Sequence, residues 1–75
     1  MADPYFEEKR KDGSFKRWEA ISRLLPKESQ TILDIGCNTG FFSLSAAVLG
    51  HRVVGLDRDK RCIEEAISKT PLVLE

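Results

Sequence analysis

The chain has 75 residues, is 41% hydrophobic, and carries 12 lysine and arginine residues against 12 aspartate and glutamate residues. These values describe one small soluble domain, and the balanced charge offers no electrostatic argument for binding nucleic acid or an anionic membrane with this segment. No apolar run approaches the ~20 residues that cross a bilayer, and the charged N-terminus lacks the core of a signal peptide. We therefore expect no membrane partner and a cytoplasmic location.

Cysteine and histidine usage removes two common ways of stabilising a small domain. Cys37 and Cys62 are far apart in sequence and form no CxxC pair, and His51 is the single histidine. Neither zinc-ligand spacing nor a disulfide framework is present, which suits a reducing compartment. Because a chain this short buries only about 60% of the surface that its unfolded form exposes, we expect marginal stability.

The N-terminal third divides into an arm and a helix. The first thirteen residues are polar apart from Tyr5 and Phe6 and end in a turn signal, so we predict a flexible arm over residues 1–13 and a folded unit over residues 14–75. Apolar residues then recur at helical spacing, namely Phe15, Trp18, Ile21, Leu24 and Leu25. This pattern predicts one amphipathic helix over about residues 14–25, which Pro26 ends.

Short apolar segments alternate along the rest of the chain. Strands are predicted at TILDI (31–35), RVVGLD (52–57) and LVL (72–74), and helices at FFSLSAAVL (41–49) and from Asp59 to Thr70. The first strand reads as buried on both faces, and the apolar helix after it as wedged between layers. Strands separated by helices of this length imply right-handed crossovers, so the predicted fold class is α/β with a parallel sheet of about three strands.

A glycine-containing loop follows the first predicted strand. Gly36 and Gly40 allow sharp turns and close approach of a ligand, and the next helix presents its N-terminus to an anionic group such as a carboxylate or phosphate. Asp57 closes the second strand about twenty residues later, where a carboxylate can accept hydrogen bonds from ribose hydroxyls. Because the carboxyl ends of parallel strands share one edge of a sheet, these sites together predict a nucleoside-containing ligand.

The spacing of this loop resembles that of a known enzyme family. A dinucleotide fingerprint would need glycine at positions 38 and 41, which hold Asn38 and Phe41, so a nicotinamide or flavin cofactor is disfavoured. The pattern D-x-G-x-N-x-G followed by GHRVVGLD instead resembles the class I S-adenosylmethionine-dependent methyltransferases, whose first motif is an acid followed by three alternating glycines. Asp34, Gly36 and Gly40 match that motif, and Asn38 replaces the middle glycine.

The resemblance covers about residues 31–75 and implies a fold, a cofactor and a set of roles. It implies the first half of a Rossmann-like three-layer domain that binds S-adenosyl-L-methionine. Asp34 would orient the loop and the methionine ammonium group, and residues 36–38, which include Cys37, would line the methionyl tail. Asp57 would hold the ribose, and Arg58 would lie near the adenine.

Each of these residues also has an ordinary structural explanation. The loop can be a plain strand-to-helix turn, Asp34 can cap the following helix, and Asp57 can share a capping role with Asp59. We favour ligand binding because the loop and Asp57 occur at matched spacing. A nucleophilic Cys37 and a catalytic His51 are disfavoured, since no base accompanies the thiol and His51 follows a glycine that ends a helix.

These observations predict the cofactor-binding portion of a methyltransferase that acts on an unidentified acceptor. The family's acceptor-side elements come later in its chains, so we expect a missing half, from a longer or a split protein, and predict no catalytic residue. Whether this chain is itself an enzyme stays open. Without further strands the outer edge of the first strand is uncovered, which predicts a homo-oligomer.

Two other functions compete with this prediction. The first is a non-enzymatic α/β interaction module that self-associates or binds a partner through the open sheet edge. The second, a nucleotide-phosphate binder, is weaker because the loop lacks a GK[ST] ending.

Overall fold

The computed structural model describes the backbone of residues 4–74 and the side chains of residues 4–70. Its elements are α1 (Pro4–Lys11), α2 (Ser14–Leu24), β1 (Thr31–Ile35), α3 (Phe41–Val48), β2 (Arg52–Leu56) and α4 (Lys60–Leu74). The fold is α/β, with a short parallel sheet and flanking helices, and is consistent with a partial Rossmann-like unit. None of the helices in residues 4–74 combines the length and apolar character needed to cross a bilayer.

The two strands are joined by α3 and pair in parallel. Their register runs from Thr31 opposite Arg52 to Ile35 opposite Leu56. Helix α3 packs against β2 and α4, and α2 packs against α3 through the Phe15 and Phe41 rings, whose centroids are 5.0 Å apart. The predicted parallel pairing of these two strands is confirmed, and it brings the loop after β1 next to the end of β2.

The sheet is covered on one face only, so the prediction that β1 is buried on both faces is wrong. Leu33 and Ile35 of β1 are 57% and 77% exposed, and Val54 and Leu56 of β2 are each 50% exposed. The alternate residues of both strands are less exposed. The described helices pack against a single side, so the opposite apolar face keeps its contact with solvent.

The predicted third strand at residues 72–74 is also wrong. Helix α4 continues through Pro71 to Leu74, and the sheet of the described residues has two strands. Proline removes one N–H donor from the helical ladder, so only one hydrogen bond of the last turn is lost. The apolar character of residues 72–74 is therefore accommodated in the last turn of α4.

Residues 4–11 form a helix where the sequence predicted a flexible arm. The α1 helix is tied to the loop after β1 by a 2.9 Å hydrogen bond between the hydroxyl groups of Tyr5 and Thr39. The Lys69 ammonium of α4 lies 3.7 Å from the Tyr5 ring centroid and donates to the Thr39 carbonyl oxygen at 3.1 Å. Contacts distant in sequence therefore hold a segment whose local pattern favoured irregular structure. The predicted turn before α2 is confirmed, since Gly13 has a φ of 86°.

Buried His51 fixes the start of the sheet. Its Nδ1 atom accepts a 3.0 Å hydrogen bond from the Gln30 backbone N–H, just before β1. The Arg52 N–H donates to the Gln30 carbonyl oxygen at 2.8 Å, so both backbone groups of Gln30 are bound to the segment that opens β2. These bonds give the buried His51 side chain a structural role, which is to join the starts of β1 and β2.

Candidate functional site

The loop from Gly36 to Gly40 lies at the carboxyl ends of both strands and is bound to β2. The N–H groups of Gly36 and Cys37 both donate to the Leu56 carbonyl oxygen, at 2.7 and 2.8 Å. Three loop residues adopt positive φ, namely Gly36 at 73°, Asn38 at 53° and Gly40 at 90°. Asparagine enters this region more readily than most residues, so Asn38 keeps the backbone course that a glycine would allow.

Asp57 is held by two backbone N–H groups at the end of β2. Its Oδ1 accepts from Asp59 N at 2.8 Å and its Oδ2 accepts from Asn38 N at 2.9 Å. The bond from Asp59 N has the larger effect and the bond from Asn38 N the smaller, and together they lower the pKa of the Asp57 carboxyl and keep it ionised. Each carboxylate oxygen has a second lone pair, so Asp57 can accept further hydrogen bonds from a ligand while it holds the loop.

The two loop glycines have different surroundings. A Cβ atom placed at Gly36 would meet nothing within 4 Å, whereas one placed at Gly40 would lie 2.8 Å from the Ala66 Cβ of α4. Gly36 lines an open cavity of about 410 Å³ at the strand ends, which we call the strand-end cavity, together with Asp57 and Arg58. Gly36 therefore leaves room for a ligand, and Gly40 leaves room for α4.

The structure places Asp34 away from this cavity. Its Oδ2 accepts a 2.7 Å hydrogen bond from the Ser43 hydroxyl group of α3. Of the residues suggested by the sequence, Gly36, Asp57 and Arg58 thus share the strand-end cavity, while Asp34 joins β1 to the first turns of α3.

Cys37 and Asn38 contribute to the loop in different ways. Cys37 is 7% exposed, and a Cβ at Gly55 of β2 would come within 3.0 Å of its sulfur. Burial, and then the charges of Asp34 and Asp57, raise the pKa of the Cys37 thiol, which opposes a nucleophilic role. The Asn38 side chain is exposed and its Oδ1 accepts from the Cys62 thiol at 3.4 Å.

Sequence comparisons give local matches to proteins that are much longer than this chain. The chain is 46% identical over 41 residues to the ribosomal protein L11 methyltransferase of Thermotoga maritima, a match that covers 53% of the chain and 16% of that relative. It is 40% identical over 48 residues to the protein of the same name from Aquifex aeolicus, covering 63% of the chain and 19% of the relative. These relatives are methyltransferases.

A third match widens the range of relatives. A provisionally named ribosomal RNA large subunit methyltransferase of Methanocaldococcus jannaschii is 48% identical over 40 residues, which is 53% of the chain and 10% of the relative. No family model matches the chain, and no solved structure matches it significantly. The local matches support a methyltransferase fragment, and each spans a fifth or less of the relative's length.

A second cavity beside the methyltransferase-like loop was missed from the sequence. It has a volume of about 240 Å³, and its walls are formed by the loop and by side chains of the two N-terminal helices and their turn. We call it the loop–helix cavity. Lys9 and Arg17 line it, together with Asp12 and Ser14. The sequence places Lys9 in a predicted flexible arm, and the turn signal at residues 12–13 is the feature of the local pattern that is compatible with α1 folding back.

Proposed function

We propose that the chain is the S-adenosyl-L-methionine-binding portion of a methyltransferase, which transfers a methyl group to an acceptor once residues outside this chain complete the domain. The observation that carries this proposal is the strand-end cavity, where the open side of Gly36 faces the same space as the Asp57 carboxylate. The local likeness to methyltransferases favours this cofactor over other nucleosides.

The residues present fit the cofactor's nucleoside portion. Asp57 has acceptor capacity left for the two ribose hydroxyls, and its position is fixed by two backbone bonds before any ligand arrives. Gly36 permits close approach of the backbone, and Arg58 lines the same cavity on the side proposed for adenine. The cofactor supplies a methyl group on a sulfonium, and the part of this chain in catalysis is to bind and orient it.

The loop is less suited to a phosphate. The N–H groups of Gly36, Cys37 and Asn38 donate to Leu56 and Asp57 rather than into a common cradle. A phosphate loop needs several such amides directed at the ligand. This arrangement supports the methyl donor over a nucleotide-phosphate ligand.

The test is a calorimetric and NMR titration with S-adenosylhomocysteine, which keeps the recognition groups of the cofactor and lacks the reactive methyl. We expect saturable binding with shift changes at residues 36–40 and at Asp57. Asp57→Ala should weaken binding about tenfold or more, because it removes a charged acceptor. Asp59→Ala is the matched control, since Asp59 caps the start of α4 through Arg61 N and does not line the cavity.

Two results of this titration would contradict the proposal or the role given to Asp57. A folded chain that binds no S-adenosylhomocysteine at millimolar concentration would refute the proposal for this chain alone. Equal losses in Asp57→Ala and Asp59→Ala would show that Asp57 acts through stability rather than through the ribose.

An interaction module is the second candidate, and the exposed sheet favours it. Within residues 4–74 β1 pairs with β2 alone, and the apolar side chains of both strands on one face are exposed. We propose that the chain self-associates through the open edge of β1. Sedimentation equilibrium should then show a dimer whose population grows with concentration. Ile35→Lys places a charge beside the edge and should shift the equilibrium to monomer, with Lys16→Glu on exposed α2 surface as control. A wild-type chain that is monomeric at every concentration would contradict this.

A further inference from the structure

A third cavity lies between the N-terminal helices and α3. It has a volume of about 290 Å³, and we call it the aromatic cavity because five of its lining side chains are aromatic. These are Tyr5, Phe6, Phe15, Trp18 and Phe41. The aromatic cavity shares no lining residue with the strand-end cavity, so a ligand in it would be separate from the proposed cofactor.

The walls of the aromatic cavity suit a flat apolar body. The hydroxyl groups that line it are already bonded within the protein, that of Tyr5 to Thr39 at 2.9 Å and that of Ser45 to the Phe41 carbonyl oxygen at 2.7 Å. Aromatic rings favour offset or tilted contacts with other rings, as Phe15 and Phe41 already make at 60°. Because ligand pockets begin at about 300 Å³, a cavity of this size suits a small ligand of one or two rings.

The protein's own cations lie on the rings of this region. The Arg10 guanidinium carbon is 5.2 Å from the Phe15 ring centroid. The ammonium groups of Lys9 and Lys69 are 5.3 and 3.7 Å from the Tyr5 ring centroid. Aromatic cavities commonly bind ammonium ligands on ring faces, but here these cations would repel such a ligand. The charge around the aromatic cavity therefore favours an anionic ligand.

Arg10 is the cation best placed to bind an anionic group. Lys9 and Lys69 each lie within ion-pair distance of a carboxylate, whereas among residues 4–70 no carboxylate lies within that distance of Arg10. Arg10 is exposed and follows Phe6 by one helical turn, so both side chains lie on the same face of α1. A ligand whose rings fill the cavity can therefore place a carboxylate against the planar fork of Arg10.

We propose that the aromatic cavity binds an aromatic carboxylate of one or two rings, with the rings among the aromatic side chains and the carboxylate on the Arg10 guanidinium. Apolar burial against the rings supplies the affinity, and Arg10 selects the charge. Phe6 and Val48 line the cavity and are exposed, so a ligand can enter from solvent. The site does not depend on the proposed function.

The test compares two ligands with the same rings. The full chain, labelled with ¹⁵N, is titrated with 2-naphthoate and with 2-naphthalenemethanol, which lacks the carboxylate, and calorimetry gives the affinities. Trp18 is the single tryptophan, so its indole N–H gives one NMR signal that reports on the cavity. Arg10→Gln removes the proposed partner of the carboxylate. Lys11→Gln is the matched control, because Lys11 is an exposed cation of the same helix and does not line the cavity.

We expect 2-naphthoate to bind saturably, to shift the Trp18 indole signal and to bind more tightly than the alcohol. Arg10→Gln should weaken 2-naphthoate about fivefold, the upper range for an exposed ion pair, and leave the alcohol unchanged. Arg10→Lys should recover part of the loss. Phe6→Ala should weaken both ligands, because it removes one wall, and Lys11→Gln should weaken neither.

Four results would overturn the inference, and none of them bears on the S-adenosylhomocysteine titration. The first is absence of 2-naphthoate binding at millimolar concentration, or an affinity that Arg10→Gln leaves unchanged. Tighter binding of decanoate than of 2-naphthoate would show that the cavity takes an alkyl chain. A Trp18 signal that shifts on dilution of the free chain would show that a second copy covers the cavity. Co-sedimentation with phosphatidylglycerol vesicles, without 2-naphthoate binding, would assign the surface to a membrane.

Discussion

Gly40→Ala should destabilise the domain by about 2–5 kcal/mol, whether or not ligand is present. The new Cβ would lie 2.8 Å from the Ala66 Cβ, which is overlap that costs about 1–3 kcal/mol when the backbone must shift. The φ of 90° adds about 1–2 kcal/mol of strain for a residue with a Cβ. At about 0.05–0.15 kcal/mol per residue, a 75-residue chain has only about 4–11 kcal/mol of stability to lose.

Urea unfolding followed by circular dichroism would measure this loss, and two variants isolate its cause. Gly50→Ala is the matched control, since Gly50 has φ 98° and no neighbour within 4 Å of a Cβ, so it should show the strain alone. The double variant Gly40→Ala with Ala66→Gly removes the overlapping methyl and should recover part of the loss. Equal losses in Gly40→Ala and Gly50→Ala would mean that α4 moves aside at no cost.

Gly36→Ala should instead lower the affinity for S-adenosylhomocysteine about fivefold or more while the domain stays folded. Its Cβ meets no protein atom within 4 Å and projects into space that the proposed ligand needs. A steric conflict of about 1–3 kcal/mol with the ligand corresponds to about a five- to 150-fold loss of affinity. The stability cost should be the strain of a positive φ alone, about 1–2 kcal/mol.

Calorimetric titration together with urea unfolding would separate these two effects. Gly50→Ala again serves as control, because it shares the strain and lies at the opposite end of the sheet, in the turn before β2. It should match Gly36→Ala in stability and the wild-type chain in affinity. If Gly36→Ala binds S-adenosylhomocysteine as tightly as the wild-type chain, the ligand does not pass this glycine.

The local sequence pattern was sufficient where short-range chemistry decides the structure. The run TILDI and the apolar segment after Gly40 predicted β1 and α3, and both are found with bounds close to those expected. The loop between them needs positive φ at Gly36 and Gly40, and both residues adopt it. Parallel pairing then follows from the helical crossover, which places Asp57 beside the loop.

The pattern failed where contacts distant in sequence decide the structure. Helix α1 is held by Tyr5 and Lys69 contacts with Thr39, none of which appears in the local pattern of the first thirteen residues. The third strand was predicted from apolar character, which does not distinguish a short strand from the last turn of a helix. The cations of the loop–helix cavity were missed for the same reason, since only the packing of α1 and α2 brings Arg17 to the loop.

The contact between Gly40 and Ala66 bears on how sequence motifs of this kind are interpreted. If a descendant of this chain stopped binding its ligand, selection for folding would still retain Gly40, because α4 leaves no room for a side chain there. Gly36 has no such protein neighbour and would be free to drift toward residues that accept its backbone conformation, such as asparagine. Under the proposed function, the first glycine is therefore the informative marker of retained binding in related chains, and the last glycine reports only that the fold persists.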